Sequence, residues 1–281
     1  HSIQVCGQQT SINTNSQANF NHALKLFNSK AYAGAQKYFV EVSEDANNKS
    51  GIKADADYYD AMCAIRLNQT DADKKVLAFV EDYPNSRKKD KAYFTVGNYY
   101  FANKKAAYAL KWYSKVNPNA LSVGNKKELD FKMGYAFLAT RNLDLAKNKF
   151  IALINDPKYG NDSRYYFGYI SYKQEDYEVK EKTLEEIAND EAYKSEVTYY
   201  LLDISFKAGR FEKCIEVGLK LLDKAKPKEV SEISKIIGES YFNLEKYEDA
   251  ISYLRVYRGK KGKWNNTDYY QLGYAYFKQN D

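Results

Sequence analysis

Apolar side chains in this chain gather around a recurring small residue. In the segment Tyr93 to Phe101, Phe94 and Phe101 stand three before and four after Gly97. That spacing places both aromatics on one stripe of a helix. Tyr270 and Phe277 flank Gly273 in the same way, and the wording returns around Gly168 and Gly238. Aligning on the small residue gives Ala23, Ala61, Gly97, Gly134, Gly168, Leu202, Gly238 and Gly273, spaced 34 to 38 residues apart. A fixed period of this length marks a stack of supersecondary units rather than one globular core.

A second helix follows each of these stripes. An aromatic opens it at Tyr32, Tyr177, Phe211 and Tyr247. Three residues later comes a small side chain (Ala35, Ala109, Ala146, Cys214, Ala250), with Asp73 and Lys180 departing. Four further on stands a large one (Phe39, Leu77, Tyr113, Phe150, Leu184, Leu254), with Gly218 the exception. The small residue of each helix lets the other approach closely. Pro84, Pro118, Pro157 and Pro227 fall where the second helix should stop. Acidic residues near the starts of first helices (Asp55, Glu128, Asp162, Glu196, Glu232) read as caps that complement the helix dipole.

The pattern resembles the tetratricopeptide repeat, a helix-turn-helix unit of about 34 residues. The resemblance implies an all-α fold, a right-handed α-α superhelical solenoid of such repeats. A polar leader covers 1–15 and the solenoid covers 16–281. Seven full repeats start near 16, 54, 90, 127, 161, 195 and 231, and the first helix of an eighth occupies 266–281. The last stripe, Tyr269 to Phe277, lacks a partner helix in the sequence. The expectation is therefore the N-terminal part of a longer protein, with self-association through the incomplete repeat as one outcome.

Composition changes the picture in one respect. The 281 residues include 28 Tyr, 14 Phe and 2 Trp, with only 14 Gly and 4 Pro. So much aromatic surface argues against disorder and against Gly/Pro-rich low complexity. Apolar runs as short as Val76–Val80 lie far below the ~18 residues that cross a bilayer, so no membrane insertion is expected. The net charge is +6. Basic clusters are small and scattered, the densest running from Arg258 to Lys263. Nucleic-acid binding needs one continuous basic face, so none is expected.

The catalytic search returns little. No phosphate loop, nucleophile elbow, metalloprotease helix or paired-cysteine motif occurs. Neither an enzyme nor a metal or cofactor is expected. His22 stands where the first repeat normally carries Leu, which suggests a half-buried structural role. Cys63 and Cys214 fall inside helices as small core residues. Cys6-Gly7 bears only a loose likeness to a lipoprotein start, so lipidation is not expected.

Function is then sought in the groove that first helices of this family line. By resemblance, partner contacts fall at positions two, five, nine, twelve and thirteen of each repeat. Carried onto this chain, the candidate partner-binding residues are Tyr58, Phe94, Asn98, Phe131, Tyr135, Tyr165, Tyr169, Tyr199, Asp203, Lys207, Glu239, Tyr270 and Tyr274. The implied function is a scaffold that holds an extended peptide or a partner helix. The competing reading is an architectural or oligomerisation module of an envelope assembly or secretion complex. Aromatics at position five could equally fill the gap to the next repeat. The Tyr/Lys/Asn-rich wording resembles periplasmic and envelope repeat proteins of Bacteroidetes-type bacteria, which implies an extracytoplasmic location, with the cytoplasm as the alternative.

Overall fold

The computed structural model describes residues 3–45, 47–175 and 177–280. Among them the regular structure is helical, apart from one short 3-10 turn at Pro118–Ala120 and one isolated bridge between Lys260 and Lys263. First helices of the hairpins are α1 (Ile3–Asn28), α3 (Ser50–Arg66), α5 (Lys89–Ala102), α7 (Val123–Ala139), α9 (Gly160–Lys173), α11 (Lys194–Lys207), α13 (Pro227–Asn243) and α15 (Asn266–Gln279). Second helices are α2 (Tyr32–Glu44), α4 (Ala72–Asp82), α6 (Ala106–Tyr113), α8 (Leu143–Ile151), α10 (Tyr177–Glu185), α12 (Phe211–Leu222) and α14 (Tyr247–Leu254). The chain forms two compact units, one up to Lys149 and one from Phe150. The division falls inside α8, where the sequence shows no break.

Close approach within each hairpin rests on a size exchange. A Cβ built on Gly97 would lie 2.4 Å from the Tyr113 ring, one on Gly168 2.7 Å from Leu184, and one on Gly238 2.8 Å from Leu254. The large residue of the second helix thus occupies the space of a missing side chain on the first. The α11–α12 hairpin reverses the sizes: Leu202 stands at the small position and Gly218 at the large one. Both are buried, and the space over Gly218 is taken by Ile237 and Leu202. Gly218, the exception in the sequence pattern, therefore leaves room for Ile237 of α13 and for Leu202.

Second helices and the turn after them bury positions i, i+4 and i+7, as in Ala35, Phe39, Val42 and again in Ala250, Leu254, Tyr257. In α4 this phase runs through Ala72, Val76 and Phe79, all buried, whereas Leu77 is 42% exposed. The expectation at Asp73 and Leu77 was shifted by one residue. Asp73 instead accepts a hydrogen bond from the Tyr100 hydroxyl at 2.9 Å. His22 is also corrected: it is exposed, with Tyr38 edge-on to its ring at 4.8 Å. The side chains of Cys6, Tyr177 and Lys180 lie outside the described residues.

Helix ends explain another difference. α3, α7 and α13 start about one turn before the expected repeat boundaries. In α7 the Ser122 hydroxyl caps the Asn125 N–H, and in α13 Pro227 occupies the first turn, where its missing N–H costs nothing. Pro227 therefore opens a first helix rather than closing a second one. Asp55, Glu128 and Glu232 fall in the second turn, beyond the reach of the dipole. The first two pair with Lys88 and Lys132 instead, both at 2.5 Å.

The turn inside each hairpin carries one residue with left-handed backbone: Lys30, Asn68, Lys104, Arg141, Glu175, Gly209 and Glu245, with φ between 52° and 72°. The next N–H reaches back to a carbonyl five residues earlier, as in Ala31 to Leu26, Lys105 to Tyr100 and Lys246 to Tyr241. This bond pattern closes a helix end on a left-handed residue, usually glycine. Only Gly209 is one here.

The size reversal generates a test. Gly218→Leu alone should cost about 1–3 kcal/mol by overpacking against Ile237. Leu202→Gly alone should cost about 3 kcal/mol or more. The double variant should lose less than the sum by about 0.5–3 kcal/mol in urea unfolding. Additive losses would mean that the two positions do not share one space.

Candidate functional site

The tyrosine excess divides into two structural roles. In the first, hydroxyls tie helices together through acidic or amide side chains. Tyr83 donates to Asp57 at 2.8 Å, Tyr100 to Asp73 at 2.9 Å, and Tyr113 to Asn98 at 2.8 Å. In the second unit Tyr172 donates to Asp203 at 2.7 Å and Tyr193 to Asp162 at 2.5 Å. Burial, then the adjacent carboxylate, pushes the Tyr83 and Tyr100 phenols up to about 12. The same two causes raise Tyr172 and Tyr193 further.

In the second role a ring stacks across the repeat boundary. Tyr59 lies on Phe39 at 5.1 Å and Tyr166 on Phe150 at 5.1 Å, both near parallel. Each is the second residue of a tyrosine doublet (Tyr58-Tyr59, Tyr165-Tyr166) and covers the large residue of the preceding second helix. Tyr200, second in the doublet Tyr199-Tyr200, packs against Tyr172 at 4.8 Å.

The candidate residues separate accordingly. In the first unit Tyr58 and Phe94 are 3% and 6% exposed and belong to the core. Tyr58 meets the Phe79 ring edge-on at 5.6 Å, and Phe94 lies 6.3 Å from the Tyr113 ring. These two are packing residues, not groove contacts. Asn98 is a structural node: it accepts from the Tyr113 hydroxyl and from Lys132 at 3.0 Å, and donates to Glu128 at 3.4 Å. Phe131 is half-buried, and Tyr135 is exposed with Phe101 edge-on at 5.7 Å.

In the second unit five candidates come together on α9 and α11. Tyr165 stacks with Tyr169 at 6.4 Å and with Tyr193 at 4.2 Å, and Tyr169 reaches Tyr200 at 5.9 Å. Tyr199 stands edge-on to Tyr200, and Lys207 pairs with Asp203 at 2.8 Å. Glu239 is separate. Burial pushes its carboxyl up, and Lys235 at 4.0 Å only partly offsets this. Tyr270 is exposed and stacks on Tyr274 at 5.7 Å.

A cavity of about 300 Å3 opens between the N-terminal halves of α11 and α13. Tyr199, Tyr200, Leu221 and Ile233 supply apolar wall, and Glu196, Lys228 and Glu232 bring charge to it. Of these only Tyr199 was expected from repeat position. Tyr200 escaped because the family positions skip the sixth residue. The doublet itself was the available signal.

Cys63 and Cys214 are buried free thiols. Burial, with Asp60 nearby, pushes Cys63 up to about 12, so the thiolate that reacts or binds metal is not present near neutrality. Among the described residues no group of three or more His, Cys, Asp or Glu is placed to hold a metal ion. No helix among them is long and apolar enough to cross a membrane.

No family model matches the sequence, and no curated relative matches it. Solved structures do. The C-terminal part of a TPR repeat-containing protein from Cytophaga hutchinsonii superimposes with TM-score 0.59 at 15% identity, over 90% of this chain and 99% of that one. A chain of the Naa15/Naa10 complex with HypK-THB gives 0.61 at 14% identity, over 93% of this chain and 39% of that one. MamA AMB-1 gives 0.52 at 14% identity, over 65% and 97%. The chain has the tetratricopeptide-repeat fold.

First-helix side chains here either pack, as Tyr58 and Phe94 do, or face outward, as Tyr135 and Tyr270 do. The arrangement offers aromatic contact area with a few fixed charges.

The raised phenols set an alkaline limit. Tyrosines such as Tyr83 ionise near 10 unfolded and near 12 folded. Their contribution is fully present below pH 10 and is lost as pH rises through about 12. Thermal midpoints followed by circular dichroism should be flat from neutrality to about pH 9 and should fall across the following three units. Tyr83→Phe should make that fall shallower. A fall unchanged in Tyr83→Phe would remove this site from the effect.

Proposed function

We propose that the chain is a non-enzymatic protein–protein interaction scaffold that holds an extended peptide segment against the tyrosine face of α9, α11 and α13. The observation that carries this reading is the cavity between α11 and α13, walled by Tyr199 and Tyr200. Its volume of about 300 Å3 sits at the small end of ligand pockets and accepts one or two side chains of a longer segment. Tyrosine walls give large contact area at low rotamer cost and leave a hydroxyl for the ligand's backbone. Tyr165, Tyr169, Asp203 and Lys207 extend the same surface along α9 and α11. Tyr135 and Tyr270, both exposed, are proposed contacts elsewhere on the chain. The fold likeness to a chain whose structure was solved with Naa10 and HypK-THB supports such hairpin stacks as platforms for partners.

The test is selection of ligands from a random peptide display library against the whole chain. Binders should lose about tenfold or more in affinity on Tyr199→Ala, the scale expected when an aromatic anchor is truncated. Tyr169→Ala should weaken them as well, and Val123→Ser on exposed α7 should leave them unchanged. Binders indifferent to both tyrosine substitutions would sink the proposal.

A further inference from the structure

A different surface lies at the connection from α14 to α15. Arg255, Arg258, Lys260, Lys261 and Lys263 fall within nine residues, and no carboxylate occurs between Asp249 and Asp268. None of the five cations has an ion-pair partner among the described residues, whereas Lys75, Lys132, Lys149 and Lys235 each have one. The nearest acid along the chain, Asp268, is already engaged, holding Lys235 at 2.9 Å and the Asn265 N–H at 2.8 Å.

The segment is built rather than loose. Gly259 and Gly262 take left-handed backbone at φ +83° and +78°, and Lys260 and Lys263 bridge across the turn. A Cβ on Gly259 would lie 2.3 Å from the Lys263 carbonyl, so only glycine fits. The Arg258 N–H is held by the Ser231 hydroxyl at 2.9 Å. The Trp264 indole N–H donates to the Tyr257 carbonyl at 2.8 Å. Trp264 stacks with Tyr257 at 6.4 Å and meets Tyr269 at 5.2 Å. Together Arg255, Arg258, Lys263, Tyr257, Trp264 and Tyr269 line a concavity of about 670 Å3.

We propose that this concavity binds a short acidic peptide segment, independently of the cavity on α11 and α13. Carboxylates would meet Arg255, Arg258 and Lys263, and a neighbouring apolar side chain would lie on the Trp264–Tyr269 wall. Holding like charges together in a pinned turn is unfavourable by itself, and an anionic segment relieves that repulsion. Pinning also lowers the ordering cost of binding. Arginine suits carboxylate because its planar fork matches both oxygens. A peptide fits better than a nucleic acid strand. A strand needs a basic track along its backbone, and here the cations are confined to one turn flanked by Glu232 on α13 and Asp268 on α15.

The experiment uses the whole chain and a fluorescein-labelled hexaglutamate peptide, followed by anisotropy at low ionic strength. Saturable binding that weakens as salt is added is expected, together with a shift in the emission of Trp264, since the other tryptophan, Trp112, is buried. The triple variant Arg255→Glu/Arg258→Glu/Lys263→Glu should bind about tenfold more weakly or worse with an unchanged melting temperature. Arg87→Glu/Lys126→Glu, on cations of the first unit, should bind as the parent does. Equal loss in that control, an unmoved Trp264 emission at saturation, or tighter binding of an oligothymidylate of equal charge would each overturn the proposal. The emission readout on the unaltered chain decides the matter even where the triple variant fails to fold.

Discussion

The size exchange between paired helices is the constraint on which the rest depends. Where Gly97 faces Tyr113, Gly168 faces Leu184 and Gly238 faces Leu254, a missing side chain on one helix sets how near the other can come. That distance fixes which first-helix residues turn inward and which turn outward. At Gly218 the same rule reaches across hairpins: Ile237 of α13 takes the space of the missing side chain, with Leu202 beside it. In a stack of hairpins each unit contacts chiefly its neighbours, so a local volume error stays local.

Tyrosine abundance follows from the same geometry. A ring long enough to reach the next helix ends in a polar atom, and a buried polar atom must find a partner. Asp57, Asp73, Asp162 and Asp203 supply those partners. Much of the excess is therefore the joinery of the stack. The rings outside that joinery are a smaller set, and Tyr199 and Tyr200 line the gap that α11 and α13 leave.

The helical hairpins and their period were legible in the sequence, because a small residue between apolar flanks every 34 to 38 positions suits stacked helix pairs and little else. The phase of α4 was misplaced, since Leu77 fits the large position as well by type as Val76, although Asp73 departs from the small position that Ala72 fills. The site was less readable. Repeat position marks the side of a helix, but Tyr58 and Phe94 share their position with Tyr199 and Tyr270 and differ only in what the neighbouring hairpin places over them. Glu232 read as a cap because the extra turn at the start of α13 was not visible. Tyr200 was hidden by borrowed family positions, although its doublet was in plain sight.

The hairpin turns carry a further implication. Six described turns hold a side chain in left-handed backbone, at roughly 1–2 kcal/mol each, and one uses Gly209 without that strain. The relaxed turn belongs to the α11–α12 hairpin, which also carries the reversed volumes and walls the tyrosine cavity. Opening free energy in such stacks varies from hairpin to hairpin. The cavity is thus walled by the hairpin with the least incentive to open at its turn.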